Sequence, residues 1–158
     1  VLGVGSDIKN TFTLTKGKYA IMSQHIGDME NYETLLFFEE TFEKLCYIYK
    51  IKPSAIGADL HPDYHTTRWA ESQMLPLYKF QHHYAHIASV MAEHLLKEEV
   101  IGVVFDGTGY GTDGNVWGGE FIIADNKKFY RLAHLKYMSL PGGNIAVKQP
   151  WRMAISVL

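Results

Sequence analysis

Val100–Glu120, VIGVVFDGTGYGTDGNVWGGE, is the stretch around which the chain is organised. Its apolar opening, Val100 to Phe105, has the length of a buried strand, and Asp106 closes it. Gly107, Gly109, Gly111, Gly114, Gly118 and Gly119 follow, spaced by Thr108, Thr112 and Asp113. Such a run lets the backbone turn tightly and approach a ligand with no Cβ in the way. Two readings stay open. In one, the N–H groups face a phosphate while Asp106 or Asp113 holds a metal beside it. In the other, the run is a glycine-rich β-hairpin with no ligand. The spacing contains no GxxxxGK[ST], which excludes a P-loop. No helix directly follows a GxGxxG, so a dinucleotide-binding turn is also unsupported.

The wider composition narrows the class. A chain of 158 residues, 47% of them hydrophobic, can bury a sizeable core within one domain. A net charge of −2 with no Lys/Arg cluster argues against a nucleic-acid partner. The single cysteine, Cys46, excludes an internal disulfide and a CxxC metal site, and its helical surroundings suit an inert buried thiol. No apolar run reaches about 18 residues and no signal peptide is visible, so the expectation is a cytoplasmic protein with no membrane contact. Val1 already lies in a strand pattern. PWRMAISVL reads as a helix begun by Pro150 and never capped, so the chain is expected to be a fragment.

Outward from the glycines, the chain reads as a repeated order of elements. Val1–Gly5 is an apolar strand ending at Ser6 and Asp7. Asn10–Thr15 and Lys18–Gln24 alternate around a Lys16–Gly17 turn. Helix 33–50 carries Leu35, Phe38, Phe42, Leu45 and Tyr49 on one core-facing stripe and stops at Pro53. Strand 55–60, a helix 66–73 capped by Thr66, strand 75–80 and a histidine-rich helix 81–97 follow. Beyond the glycines, 119–125 and 128–137 read as two more strands.

The order is β-β-β-α-β-α-β-α, then β-β-β again. VLGVGSD at Val1–Asp7 lines up with VIGVVFD at Val100–Asp106, which argues for duplicated lobes. The expected division is a first ribonuclease-H-like lobe, 1–99, and the start of a second, 100–158. The pattern is similar to the actin/Hsp70/sugar-kinase superfamily, an α/β class with a mixed sheet flanked by helices. That resemblance implies a nucleotide between the lobes. It makes Asp7, Lys9, Asn10 and Thr11 one phosphate-side loop and Asp106–Gly114 the other, with the second lobe incomplete.

The helix QHHYAHIASVMAEH holds His82, His83, His86 and His94. His82 and His86, one turn apart, share a face and can grip one metal ion; His83 with His86 could do so less well. Tyr84, Ile87, Met91 and Leu95 form the opposite, core-seeking stripe, and His94 is solvated at the helix end. Asp106, ending the neighbouring strand, can add a carboxylate. Two histidines and a carboxylate with open positions suit zinc or iron. There is no HExxH, so a zincin protease is not indicated.

NTFTLTKGKYAIMSQHIGDMEN, ADLHPDYHTTRWA, QHHYAHIASVMAEH, FDGTGYGTDGNVWGGEF and LPGGNIAVKQPWRMA together resemble the HypF carbamoyltransferases of [NiFe]-hydrogenase maturation. These blocks cover almost the whole chain in the family's order. The region corresponds to the N-terminal part of the family's carboxyl-side, actin-like domain, which is related to the threonylcarbamoyl-adenosine enzymes. The resemblance implies that carbamoyl phosphate and ATP yield carbamoyl adenylate in other domains. The carbamoyl group then passes to the C-terminal cysteine of the partner HypE, which later converts it to a cyanide ligand. It also implies that His82, His86 and Asp106 bind the metal and serve catalysis, with a further aspartate beyond Leu158.

On that reading Gly107, Thr108, Gly109, Gly111, Asp113 and Gly114 contact the nucleotide, and backbone N–H groups of 107–111 meet charge growing on its oxygens. His61 and Asp59 bind the carbamoyl or adenylate group, or else make a structural hydrogen bond at a strand end. Arg68 and Lys148 are phosphate partners or surface charges. Two alternatives stay open: an actin-like ATP-dependent phosphotransferase, with Mg²⁺ held by carboxylates and water and no histidine-bound metal, and a non-catalytic fragment that docks a partner.

Overall fold

The computed structural model describes the backbone of residues 1–158 and every side chain except those of residues 144 and 147. The chain divides into two compact units: 1–82 with 110–113, and 83–109 with 114–158.

The first unit is built on a five-stranded sheet. In chain order its elements are β1 (Leu2–Gly3), β2 (Thr13–Lys16), β3 (Tyr19–Met22), α1 (Tyr32–Tyr49), β4 (Ile56–Asp59), α2 (His65–Ser72) and β5 (Leu77–Phe80). The strand order is β3-β2-β1-β4-β5. The β1–β2 and β2–β3 pairs are antiparallel, whereas β1–β4 and β4–β5 are parallel. The expected three-strand meander is therefore present, and the parallel strands arrive through helical connections, as parallel pairing requires. Leu2, Leu14, Ile56 and Ala58 turn inward from the sheet onto Phe38 of α1 and Ala70 of α2. Edge-to-face ring contacts, Phe12–Phe38 at 5.1 Å and Phe38–Trp69 at 5.0 Å, lock this layer. Cys46 packs against the same core, and burial pushes its thiol pKa up, consistent with an inert thiol.

Two helix ends differ from expectation. Helix α1 stops before Pro53 acts. Lys50 adopts a left-handed backbone, and the Lys50 and Ile51 N–H groups bond back to Tyr47 O and Cys46 O. At the start of α2, Thr66 is not the cap. It lies buried inside the helix, and the cap comes from 59 residues earlier in the chain. Asp7 Oδ1 accepts the Thr66 N–H at 3.0 Å, and Asp7 Oδ2 accepts the His65 N–H at 2.8 Å.

The second unit holds most of α3 (His82–Glu93), β6 (Val100–Tyr110), β7 (Val116–Ala124), β8 (Phe129–His134), α4 (Asn144–Lys148) and α5 (Trp151–Val157). Strand β7 lies between β6 and β8, and its pairing with β8 is antiparallel with a bulge at Phe121/Ile122. Tyr84, Ile87 and Met91 of α3 pack on Trp117, Ile122 and Ala124, with Val100, Val104 and Phe129 at the margin. Leu95 does not join them. It is 82% exposed, because α3 ends four residues earlier than expected. There, Leu95 turns left-handed (φ 54°), and the Leu95 and Leu96 N–H groups close on Ala92 O and Met91 O. The opposite face of β6 leaves Ile101, Val103 and Phe105 exposed.

Of the two readings of the glycine-rich stretch, the hairpin describes its backbone: the strand does not end at Asp106 but runs on as β6 to Tyr110, 111–115 turn, and β7 lies beside it. The glycines keep the strand paired. A Cβ on Gly118 would sit 3.0 Å from Gly107 O, so absence of a side chain is what lets β6 and β7 stay close there. Helix α5 follows Pro150 as expected, and α4 was not foreseen. Among the described residues no helix is long and apolar enough to cross a membrane.

Candidate metal centre

Strand parity explains why Asp106 meets α3. Along β6, Val100, Gly102, Val104 and Asp106 share the covered side, while Ile101, Val103 and Phe105 are exposed. Gly102 then sets the distance. A Cβ there would lie 2.5 Å from Ile87 Cγ1 and closer still to its Cδ1, so only glycine admits the helix at this spacing. His86, next to Ile87, reaches Asp106: Nε2 to Oδ2 is 3.3 Å.

His82 is positioned from β4. Asp59 pairs in register with Phe80 of β5, which places its carboxylate beside the chain as it enters α3. His82 Nδ1 lies 2.7 Å from Asp59 Oδ2, and both side chains are largely buried. One ligand atom from each of His82, His86 and Asp106 falls within 4.8 Å of the other two. The donor set of two imidazoles and a carboxylate fits a zinc- or iron-type ion.

The remaining expected residues divide by what they touch. Both oxygens of the Asp59 carboxylate have protein partners. One oxygen faces His82, and the other accepts the His61 N–H at 2.8 Å. His61 is half-buried and stacks on Tyr64 at 4.3 Å, and its Nδ1 accepts the Asp63 N–H. Asp7 is buried and committed to the N-terminus of α2, and His65 Nδ1 also lies 2.9 Å from its Oδ2. Asn10 is fully buried, and its amide donates to Val4 O and Ser6 O. Asp7 and Asn10 thus brace their loop. The loop is tight because Gly5 sits at φ +72° with Thr11 O where a Cβ would be. Lys9 is exposed and its N–H donates to Asp28 Oδ1; Thr11 is half-buried.

On the glycine strand, the Gly107 N–H turns back onto Asp106 Oδ1 at 2.7 Å. Gly107 and Thr108 are exposed, Gly109 and Gly111 are buried, and Asp113 and Gly114 are exposed in the turn. Arg68 pairs with Asp63, and Lys148 ends α4. His83 is not a second ligand. It points into the core and stacks on Trp117.

One buried charge cluster was missed from sequence. Glu120 is 1% exposed and takes two bonds from Arg131, Nε at 2.6 Å and Nη2 at 3.0 Å. The Arg131 guanidinium lies 4.0 Å over the Trp117 ring and donates to Tyr137 Oη. Burial would raise the Glu120 pKa, but the Arg131 and Gly118 donors outweigh it and hold the carboxyl below its ordinary value. The signal was available: a glutamate inside an apolar strand needs an opposite charge on its neighbour.

These features define an α/β domain of the actin-like class carrying a His/His/carboxylate cluster. Two family descriptions match it. The HypF Kae1-like domain covers residues 1–93, and the second subdomain of the carbamoyltransferase Kae1-like domain covers 102–158. The chain belongs to the HypF Kae1-like domain family.

Among relatives, Carbamoyltransferase HypF of Rhizobium leguminosarum bv. viciae is 42% identical and that of a Synechocystis strain 45% identical. Each match takes in 100% of this chain and 21% of the relative, so the chain spans about a fifth of their length. A crystal structure of full-length HypF in its phosphate- and nucleotide-bound form superposes with a TM-score of 0.95. It is 49% identical over 98% of this chain and 21% of that one. HypF of T. kodakarensis gives a TM-score of 0.91 at 43% identity, over 99% of this chain and 21% of that one.

Proposed function

We propose that this chain is the transfer segment of a carbamoyltransferase. It accepts carbamoyl adenylate, made from carbamoyl phosphate and ATP, and directs the carbamoyl group to the C-terminal cysteine of HypE in the cytoplasm. The observation that carries this reading is the convergence of His82, His86 and Asp106. The relatives, named carbamoyltransferases, and the nucleotide-bound state of a solved neighbour support it. Residues 1–99 then form one lobe and 100–158 begin the second.

In the step itself, the partner's thiolate attacks the carbamoyl carbon. A C–S bond forms, the anhydride C–O bond breaks, and AMP leaves with the electron pair. An ion held by His82, His86 and Asp106 supplies Lewis-acid polarisation of the carbonyl or phosphoryl oxygen when bound. The chain's own part is to hold those three side chains in register through α3 and β6. Lys9, Thr11, His61, Thr108 and Asp113 are side chains of the assigned set that contact the nucleotide or its carbamoyl group on this reading, with the backbone N–H groups of 107–111. No nucleophile is needed from this chain, which agrees with the burial-raised thiol of Cys46.

The test uses full-length HypF carrying this segment. Asp106→Asn is expected to abolish carbamoyl transfer to HypE while leaving carbamoyl phosphate cleavage intact. Unimpaired transfer contradicts the role given to Asp106.

A further inference from the structure

We infer that Asp59 is a positioning residue that fixes which nitrogen of His82 ligates the metal. This rests on the metal reading of His82, His86 and Asp106 given above. Two observations and one chemical rule carry it. Asp59 Oδ2 lies 2.7 Å from His82 Nδ1, the distance of a charge-assisted hydrogen bond. An ionised carboxylate only accepts, so Nδ1 carries the proton and Nε2 is the ligating nitrogen. Asp59 is itself held: Oδ1 accepts the His61 N–H at 2.8 Å, its backbone carbonyl accepts Thr67 Oγ1 at 3.2 Å, and the Leu60 N–H beside it bonds Phe80 O at 2.8 Å.

The contrast with His86 sharpens the point. The His86 side chain is 55% exposed and that of His82 is 15% exposed. His82 is the first residue of its helix. Asp59 is the carboxylate that orders this ring, and a rotated ring or the other tautomer would turn the ligating nitrogen away from the metal. A carboxylate behind a metal-bound imidazole commonly sets ring orientation and basicity, and removing it lowers metal affinity about 10–100-fold.

The experiment measures zinc affinity of the purified chain by competition with a chromophoric chelator, for wild type, Asp59→Ala, Asp59→Asn and His82→Ala. Long-range ¹H–¹⁵N spectra of the metal-free protein read the His82 tautomer alongside. Asp59→Ala is expected to bind zinc about 10–100-fold more weakly and to lose the fixed Nδ1–H tautomer. Asp59→Asn, which keeps the volume and a neutral acceptor, is expected to fall between it and wild type. If Asp59→Ala does not fold, Asp59→Asn decides by weaker or unchanged binding. Wild-type affinity and an unchanged tautomer in the Asp59 variants, with binding lost in His82→Ala, overturn this inference and leave the metal reading standing. Absence of zinc binding by wild type overturns both.

Discussion

Replacing Gly102 by alanine adds one methyl group at the point where α3 crosses β6. The new Cβ would lie 2.5 Å from Ile87 Cγ1, whereas carbon atoms rest comfortably at about 3.5–4.0 Å. Roughly 1 Å must therefore be found. Ile87 is only 6% exposed and packs in the cluster with Tyr84, Met91 and Trp117, so its side chain has little room to swing away. Two effects compete. Alanine lowers the chain-entropy cost of the strand by about 0.5–1 kcal/mol, while overpacking a filled core costs about 1–3 kcal/mol. Overpacking wins, with a net loss of about 1–2 kcal/mol.

The relief comes partly from moving the helix, which widens the 3.3 Å approach of His86 to Asp106 and weakens zinc binding. Urea denaturation read by circular dichroism, with zinc titration in parallel, measures both. Ile87→Val removes the Cδ1 atom at the clash. By itself it costs about 0.5–1.5 kcal/mol. Combined with Gly102→Ala it is expected to cost less than the sum of the two, and to restore part of the zinc affinity. Additive costs with unchanged affinity would refute the claim that Gly102 sets the helix–strand spacing at the centre.

Three further outcomes follow from the same contacts. Asp7→Ala removes the cap of α2 and is expected to cost about 0.5–2 kcal/mol, measured by urea denaturation. Arg131→Met leaves Glu120 as a buried uncompensated charge and is expected to cost about 3–5 kcal/mol, much of it recovered in the Glu120→Gln/Arg131→Met double variant. The lowered Glu120 pKa means that its stabilisation is fully present above the ordinary glutamate value of about 4.3 and is lost as pH falls through the lower folded value. Denaturation series from about pH 7 to about pH 3 should therefore show an acid loss in wild type that is reduced in Glu120→Gln.

The parts of this fold that were legible in the sequence are those set by local pattern. The alternation in β2 and β3, the stripe on α1 from Leu35 to Leu45 and the one-turn spacing of His82 and His86 each follow from a single period, whereas Tyr49, expected on the same stripe, is exposed at the helix end. What was not legible depends on residues far apart in the chain. Asp7 reads as a loop aspartate at the end of a strand, yet the sheet brings it to α2 as a cap. Asp59 reads as a ligand-facing strand end, yet the β4–β5 register turns it toward His82. The glycine run was the hardest case. Its composition suits a loop, but pairing with β7 overrides local preference and keeps it extended as far as Tyr110. Glu120 stood out inside an apolar strand, but which cation answers it is decided only by the pairing of β7 with β8, which brings Arg131 to it.

The central claim is that His82, His86 and Asp106 bind one ion together. A crystal structure of the chain grown with zinc, with anomalous data collected at the zinc edge, tests it most directly. The expected result is a single anomalous peak within ligand distance, about 2.0–2.2 Å, of one atom from each of the three side chains. A peak elsewhere, or zinc bound with any of the three turned away, would contradict it.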